Sequence, residues 1–192
     1  MNIDEIQQYI IDADQIQIIG SASQVTPVHH NTLNMSQYAG IVGYHPEELV
    51  MTVKAGTTIK QIEGVLDHKG QVLPFYVQDN KSASIGGAYA MGSPELRDAV
   101  LGIKIIDGRG RLLTFGGQVM KNVAGYDVAR LLVGSQGKLA VICEISFKVI
   151  PKAYTKNEMP STLKEKSQTT SDIKTRLERG LKTIFDPNGV FV

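Results

Sequence analysis

The spacing of apolar residues along the chain predicts several amphipathic helices. Apolar residues recur at helical intervals after two capping pairs, Asn2 with Glu5 and Thr58 with Gln61, so a helix is expected to begin at each pair. A third helical pattern starts at Ser171, and we expect its apolar face to dock on the rest of the chain. This face is formed by Ile173, Leu177, Leu181 and Ile184.

Shorter apolar runs, separated by turn residues, predict strands. Two neighbouring pairs of runs are joined by turn signals, His45 with Pro46 and Asp107 with Gly108, which indicate antiparallel hairpins. Because hairpins outnumber β-α-β units, the pattern favours an α+β fold. The predicted strands are residues 16–19, 41–44, 49–53, 100–106, 112–115 and 139–149.

One segment, residues 115–142, combines glycines, amides and charges between a strand, a loop and a short helix. Gly116 and Gly117 let the backbone turn or approach a ligand closely at the end of the strand. Lys121 and Asn122 offer a cation and an amide. Backbone N–H groups at such turns and helix starts bind anionic oxygens, so the segment suits an anionic cofactor. A glycine pair between strands is also the ordinary composition of a plain turn.

After residue 151 the composition becomes strongly polar. Residues 152–171 are rich in Lys, Ser, Thr, Glu and Gln, which is typical of a linker. We therefore predict a main domain of two lobes over residues 1–151 and a polar linker over 152–171. The C-terminal helix and tail, residues 172–192, are predicted to dock on the main domain.

Charge and cysteine content exclude several classes of function. The 20 Lys and Arg residues nearly balance 19 Asp and Glu residues, and a net charge of +1 gives no electrostatic basis for binding nucleic acid or an anionic membrane. The single cysteine, Cys143, alternates with Ile145, Phe147 and Val149, which indicates a core position on their face of a strand. One cysteine also excludes an internal disulfide and an iron–sulfur cluster held within this chain by cysteines.

Motifs for other ligands and for export are absent from the sequence. No G-x-G-x-x-G occurs, and the GSQGK run at 134–138 lacks the first Gly and the final Ser or Thr of a nucleotide-binding P-loop. His29 and His30 are adjacent without a third ligand at metal-binding spacing, so a solvated loop pair is expected. No basic and apolar leader and no run of ~18 apolar residues occurs, so a cytoplasmic location is expected, with any membrane association through partners.

The stretch FGGQVMKNVAGYD at 115–127, with GSQG at 134–137, closely resembles a known flavoprotein family. The family is that of the FAD-binding (E) subunits of glycolate oxidase, or glycolate dehydrogenase, among flavoproteins with a PCMH-type FAD-binding domain. Further segments match its pattern in order: VKAGT at 53–57, GQVLPF at 70–75, IGG at 85–87 and FDPNGVF at 185–191.

The resemblance implies both a fold and a cofactor. The implied fold is α+β with two lobes, in which a small mixed sheet and a larger, mainly antiparallel sheet carry flanking helices. FAD is implied to stretch between the lobes, and the resemblance identifies neither a catalytic residue nor a metal ligand. The residues implied to contact FAD are Gly20, Ser21, Ala22, Ser23, Gln24, Ile85, Gly86, Gly87, Gly116, Gly117, Lys121, Asn122, Gly137 and Ile142.

Two of the chain's departures from the family bear on the phosphate site and on the substrate side. The first phosphate loop is G-G-G-T-like in the family but reads GSASQ at 20–24 here, and serine and alanine carry a Cβ that disfavours positive φ and close backbone approach. Family members of ordinary length also carry a cap domain on the substrate side, where this chain has only residues 152–171. The chain therefore resembles a shortened form that lacks the cap.

The implied function is that of an FAD-binding subunit in a glycolate-oxidase-like complex that oxidises a 2-hydroxy acid. The subunit is expected to belong to an FAD-dependent oxidoreductase without catalysing alone. A larger homologous flavoprotein subunit and an iron–sulfur subunit are the implied partners. The changed phosphate loop leaves an alternative open, a cofactor-free scaffold that keeps the fold and the partner surfaces. Supply of a cap by another chain is a further alternative.

Overall fold

The described strands form one five-stranded sheet and two smaller pairs. The structure is a computed structural model, and it describes residues 1–21, 31–77, 82–118, 127–156 and 171–192. The strands are β1 (Gln17–Ile19), β2 (Thr32–Asn34), β3 (Ile41–His45), β4 (Val50–Lys54), β5 (Gln71–Val72), β6 (Val100–Ile106), β7 (Leu112–Gly116), β8 (Val141–Lys148) and β9 (Ile150–Pro151). The helices are α1 (Ile3–Asp12), α2 (Ile59–Asp67), α3 (Ile85–Met91), α4 (Pro94–Ala99), α5 (Val128–Leu131) and α6 (Ser171–Phe185).

The five-stranded sheet is antiparallel throughout, in the order β3-β4-β8-β6-β7. β1 and β2 pair in parallel, and β5 and β9 pair antiparallel. Both predicted hairpins are present, as β3 with β4 and β6 with β7. The predicted α+β class, with a small sheet, a larger antiparallel sheet and flanking helices, is confirmed.

The two predicted capping pairs begin helices α1 and α2. The Asn2 Oδ1 atom accepts a hydrogen bond from the Glu5 N–H at 2.8 Å, and Glu5 Oε2 accepts one from the Asn2 N–H at 2.9 Å. Thr58 and Gln61 form the same reciprocal pair before α2. Each pair provides acceptors for N–H groups that a helix start leaves without a backbone partner. The predicted starts of both helices are therefore confirmed.

Two apolar cores lie on opposite faces of the five-stranded sheet. Ile105 belongs to the main core and Ile106 to the smaller one, and successive side chains of a strand point to opposite faces. Helices α2, α3 and α5 cover the main core, whereas α1 and β1 cover the smaller core. The smaller core thus joins α1 and the β1–β2 pair to the five-stranded sheet.

Cys143 is fully buried, as expected, but it lies in a different core from its predicted neighbours. Ile145 and Phe147 belong to the main core, whereas Cys143 packs with Val141 in the smaller one. The register between β6 and β8 shifts at this point, so that Cys143 is an extra residue between two paired positions. Such a β-bulge interrupts the alternation of faces, which is why the pattern placed Cys143 on the wrong face.

Helix α6 contacts the rest of the chain through only part of the predicted face: Leu181 packs against the main core as predicted, but two of its predicted neighbours do not. The side chains of Leu177 and Ile184 are 64% and 61% exposed, so their predicted docking role is wrong. Phe185 is buried instead, with its ring edge-to-face against Phe115 at 6.3 Å, and Leu181 packs partly against the main core. The side chain of Ile173 is outside the described part of the chain. Because Leu181 and Phe185 are one turn apart, they define the buried stripe.

A glycine in β6 gives the chain room to pass over the sheet after β7. A Cβ atom on Gly102 would lie 2.6 Å from the carbonyl oxygen and 2.7 Å from the nitrogen of Gly117. Gly116 has φ +71°, and a Cβ there would collide with the Leu101 carbonyl oxygen. The Gly117 N–H donates to that same oxygen at 3.1 Å. The glycines at 102 and 116 are therefore required by close backbone approach.

Replacing Gly102 by Ala should lower the free energy of unfolding by about 1–3 kcal/mol, the usual cost of overpacking a close contact. Gly117→Ala is the matched control, because an added Cβ at Gly117 has no neighbour within 4 Å. Urea unfolding followed by circular dichroism measures both variants. Equal stability of the two variants would contradict the close approach at Gly102.

Candidate functional site

A cavity of about 450 Å³ lies where β1, the start of α3 and the turn before β8 meet. This volume is within the ~300–1,000 Å³ range of small-molecule sites. Its walls combine glycine backbone with apolar side chains and a few polar groups. The lining residues are Gln17, Ile18, Ile19, Gly20, Ser21, Met35, Ala55, Ala83, Ser84, Gly86, Gly87, Ala90, Met91, Gln136, Gly137, Lys138, Ala140, Ile142 and Val192.

The end of β1 and the start of α3 approach each other at Gly20. A Cβ on Gly20 would lie 2.5 Å from the Ser84 hydroxyl oxygen, inside the contact distance of any real pair. Ser84 is the N-cap of α3, and its Oγ accepts a hydrogen bond from the Gly87 N–H at 3.2 Å. The absence of a side chain at position 20 therefore permits this wall of the cavity to form.

The glycines of α3 supply space rather than free hydrogen-bond donors. The Gly86 N–H donates to the Ala55 carbonyl oxygen at 2.8 Å, and the Gly87 N–H is taken by Ser84. A Cβ on Gly86 would lie 2.8 Å from the Ala55 Cβ. Because the Ser84 oxygen accepts from Gly87, its own O–H hydrogen is the donor that this residue can present to a ligand. The hydroxyl, rather than the glycine amides, is the better anchor for an anionic group.

The turn between α5 and β8 connects α3 to β1 beside the cavity. The Gly134 N–H donates to the Tyr89 carbonyl oxygen at 3.0 Å, and the Gln136 N–H donates to that of Ala90 at 2.9 Å. Both bonds satisfy carbonyls near the end of α3, which a helix leaves without internal partners. Gly137, with φ +76°, lies close to Ile18 of β1. The turn therefore holds two walls of the cavity at a fixed separation.

The structure brings together six of the fourteen residues predicted to contact a cofactor. The predicted residues that line the cavity are Gly20, Ser21, Gly86, Gly87, Gly137 and Ile142. Ile85 lies next to them in sequence but is buried in the main core. Gly116 and Gly117 are outside the cavity wall, at the crossing over β6. Ala22, Ser23, Gln24, Lys121 and Asn122 lie outside the described residues, and their roles stay predictions.

Sequence reasoning missed several residues of the cavity wall. Ser84 could have been predicted as the N-cap of α3, since a serine three residues before Gly87 at a helix start is an N-cap signal. Gln136 and Lys138 lie in the recognised GSQGK turn, but its spacing does not show which side chains face a ligand. Val192 reaches the cavity through pairing of the C-terminal tail with Ile16, for which no local signal exists.

The titratable groups near the sheet do not offer an activated nucleophile. Burial, with a smaller contribution from Glu144, raises the pKa of the Cys143 thiol to about 12. Burial and Glu144 likewise raise the pKa of Tyr38 to about 12. Burial also raises the pKa of Tyr89, whose hydroxyl donates to the Ala129 carbonyl oxygen. All three groups are therefore protonated at neutral pH.

Metal binding and membrane insertion find no support in the described part of the chain. No group of three or more His, Cys, Asp or Glu residues lies close enough there to hold a metal ion. His29 and His30 fall outside the described residues. None of the helices that the structure describes has the length and apolar character needed to span a membrane.

Comparison with known proteins identifies relatives that share this segment of sequence. The family model described as FAD binding domain matches residues 10–116, which include the walls at Gly20 and at 83–87. Glycolate oxidase subunit GlcE of Escherichia coli is 44% identical over 162 residues, which are 78% of this chain and 46% of the relative. The chain thus spans about half the length of this relative.

More distant relatives include a second glycolate oxidase subunit and a dehydrogenase. Glycolate oxidase subunit GlcD of Bacillus subtilis is 33% identical over 138 residues, 66% of this chain and 29% of the relative. A D-2-hydroxyglutarate dehydrogenase of Xanthomonas citri is 27% identical over 124 residues, 60% of this chain and 26% of the relative. The shared part is therefore a minor fraction of each of these proteins.

Cys143 should resist a thiol reagent such as Ellman's reagent in the native protein, because its thiol is buried and its pKa is raised to about 12. In guanidinium chloride, one thiol per chain should react at once. The absorbance of the released thiolate at pH 8 measures both rates. Rapid reaction of the native protein would show that the smaller core is open to solvent.

Proposed function

Because the chain belongs to the FAD binding domain family, we propose that it is the FAD-binding subunit of a glycolate-oxidase-like assembly that oxidises a 2-hydroxy acid. The family and the GlcE relative indicate FAD as the cofactor. The observation that carries the proposal is the cavity, whose walls come from the segments that the family's pattern places around FAD. When bound, FAD supplies a flavin ring that accepts two electrons.

The residues present at the cavity fit a nucleotide cofactor. Glycine backbone at position 20 and along the start of α3 lets a bulky ligand approach without meeting a Cβ. The Ser84 hydroxyl and the Lys138 ammonium group are a donor and a cation suited to the cofactor's phosphates. Ile18 and Met35 give apolar surface for an aromatic ring. The chain's own residues thus bind and orient the cofactor.

Substrate chemistry is proposed to lie on another chain. The names of the chain's relatives include a second glycolate oxidase subunit, GlcD, and no described group of this chain offers a base placed for the acid. We infer that a larger homologous flavoprotein subunit holds the 2-hydroxy acid, and that its two electrons pass through flavin to an iron–sulfur subunit, with the FAD of this chain as one carrier on that path. Such a cluster would have to be held elsewhere, since this sequence has one cysteine and a cluster commonly takes four.

A cofactor-free scaffold is the second candidate function. The observation in its favour is the GSASQ sequence at 20–24, in place of a glycine-rich loop. The cavity weighs against this candidate, because the fold and the partner surfaces alone do not require open space where β1, α3 and the turn before β8 meet. Proteins that lose a ligand have no physical reason to keep a cavity of about 450 Å³ open.

The purified chain should bind FAD and show the visible absorbance of an oxidised flavin after FAD is added and the excess removed. Retention of about one FAD per chain is the expected result. A protein that stays colourless after this treatment would refute the FAD proposal and favour the cofactor-free scaffold. Calorimetric titration of the apoprotein gives the affinity.

Ala90→Leu should reduce FAD binding by about tenfold or more, because its larger side chain takes up space in the cavity wall. Gly64→Leu is the matched control, since an added Cβ at Gly64 meets no atom within 4 Å. Calorimetric titration compares the two variants with the unsubstituted chain, and thermal unfolding of the apoproteins shows that both are folded. Unchanged affinity in Ala90→Leu would place the FAD site elsewhere.

The isolated chain loaded with FAD should not oxidise glycolate or D-lactate. The expected reason is that the groups which hold and deprotonate the acid belong to a partner. Reduction of an artificial electron acceptor measures turnover, with a photochemical reduction of the bound flavin as the control for redox competence. Turnover by this chain alone would refute the proposal that a partner chain holds and deprotonates the acid.

A further inference from the structure

A buried ion pair near the end of α6 joins parts of the chain that are far apart in sequence. The Lys182 ammonium nitrogen lies 2.6 Å from Asp186 Oδ2, and the Asp186 side chain has no solvent exposure. The same carboxylate accepts hydrogen bonds from the N–H groups of Val190 at 2.8 Å and Phe191 at 2.9 Å. Two backbone donors and one ammonium group thus hold the carboxylate.

This ion pair contacts one wall of the proposed FAD cavity and the residue next to a second wall. Lys182 Nζ donates to the Lys138 carbonyl oxygen at 2.8 Å and also to that of Phe191. Lys138 and Val192 both line the cavity. The Lys182 ammonium group therefore ties the turn before β8 to the C-terminal tail.

The tail in turn holds β1, which is the third wall. The Ile16 N–H donates to the Val190 carbonyl oxygen at 2.8 Å, and the Val192 N–H donates to the Ile16 carbonyl oxygen at 3.1 Å. Ile16 directly precedes Gln17, where β1 begins, and the cavity wall runs from Gln17 to Ser21. Asp186 thus fixes the tail, and the tail fixes the start of β1.

The sheet fixes the ion pair itself in position. The Gly108 N–H donates to the Phe185 carbonyl oxygen at 2.8 Å. A Cβ at Gly108 would collide with the Asp186 carboxylate, so the β6–β7 turn lies directly against it. Movement of the carboxylate would therefore disturb both the turn and the tail.

We propose that Lys182 and Asp186 are positioning residues for FAD, which hold the turn at Lys138, the tail at Val192 and the start of β1 at the separation that the cofactor requires. The inference rests on the proposed function, because it needs FAD in this cavity. It goes further in assigning the C-terminal segment 182–192 a role in cofactor affinity. The side chains of Lys182 and Asp186 do not line the cavity. They act on its walls only through the backbone groups to which they are hydrogen-bonded.

A purely structural role makes a different prediction from a positioning role. If the pair only stabilises the fold, apparent affinity for FAD falls only as the folded fraction falls. A variant that is still fully folded at the assay temperature then binds FAD with unchanged affinity. If the pair positions the walls, affinity falls even when the protein is folded. Binding must also act back on the tail, since coupling between two sites is reciprocal.

The test compares FAD affinity in Asp186→Asn, Lys182→Met and Lys182→Arg, measured by calorimetry well below the unfolding temperature of each. Asp67→Asn is the control, because Asp67 and Lys152 form an exposed ion pair at 2.9 Å away from the cavity wall. Asp186→Asn and Lys182→Met should weaken binding by about tenfold or more, within the usual ~5- to 150-fold range of couplings. Lys182→Arg should keep most of the affinity, since it retains the charge and the donors.

Hydrogen exchange on the unsubstituted chain gives a second readout that needs no variant to fold. FAD should slow exchange of the Val190, Phe191 and Val192 amides but leave the exposed α2 surface around Gly64 unchanged. Folded Asp186→Asn and Lys182→Met variants that bind FAD within about twofold of the unsubstituted chain would overturn the inference. So would an absence of FAD-linked protection at residues 190–192. Failure of the unsubstituted chain to bind FAD is a separate result, which overturns the proposed function and this inference with it.

Discussion

The structure depends on close contacts at positions that have no side chain. A Cβ on Gly86 would lie 2.9 Å from the Ala55 carbonyl oxygen, and a Cβ on Gly20 would lie 2.5 Å from the Ser84 hydroxyl oxygen. These contacts let the end of β1 and the start of α3 meet beside the cavity. Because packed backbone adjusts little to an added methyl group, whereas a serine hydroxyl can rotate, we expect a substitution at Gly86 to cost more stability than one at Gly20.

This constraint changes the role of the glycines in cofactor binding. Glycine-rich segments before a helix are usually read as sources of free N–H donors for phosphate. In α3 the N–H groups of Gly86 and Gly87 already have acceptors within the protein. In the proposed site the glycines therefore make room, and Ser84 and Lys138 are the lining side chains proposed for polar contacts with the cofactor. The serine-containing first loop at 20–24 is compatible with cofactor binding in such a site, because binding there does not depend on glycine amides alone.

The sequence predicts local structure well because the signals for it are local. The Asn2 and Thr58 capping boxes and both hairpins follow from residues a few positions apart. The docking face of α6 and the bulge at Cys143 depend on contacts with distant strands, which no periodicity encodes. The same is true of the cavity wall at Val192, which forms by pairing with Ile16. The family resemblance identified six residues of the wall, since it carries information about tertiary contacts that one sequence lacks.

The proposal that FAD occupies the cavity between β1, α3 and the turn before β8 can be tested by NMR. The backbone amide signals of isotope-labelled apoprotein are followed while FAD is added. The largest shift changes are expected at Gly20, Ser84 and Gly137, with no change at Gly64 on α2. Changes confined to other surfaces, or no change at any amide, would show that FAD does not bind in this cavity.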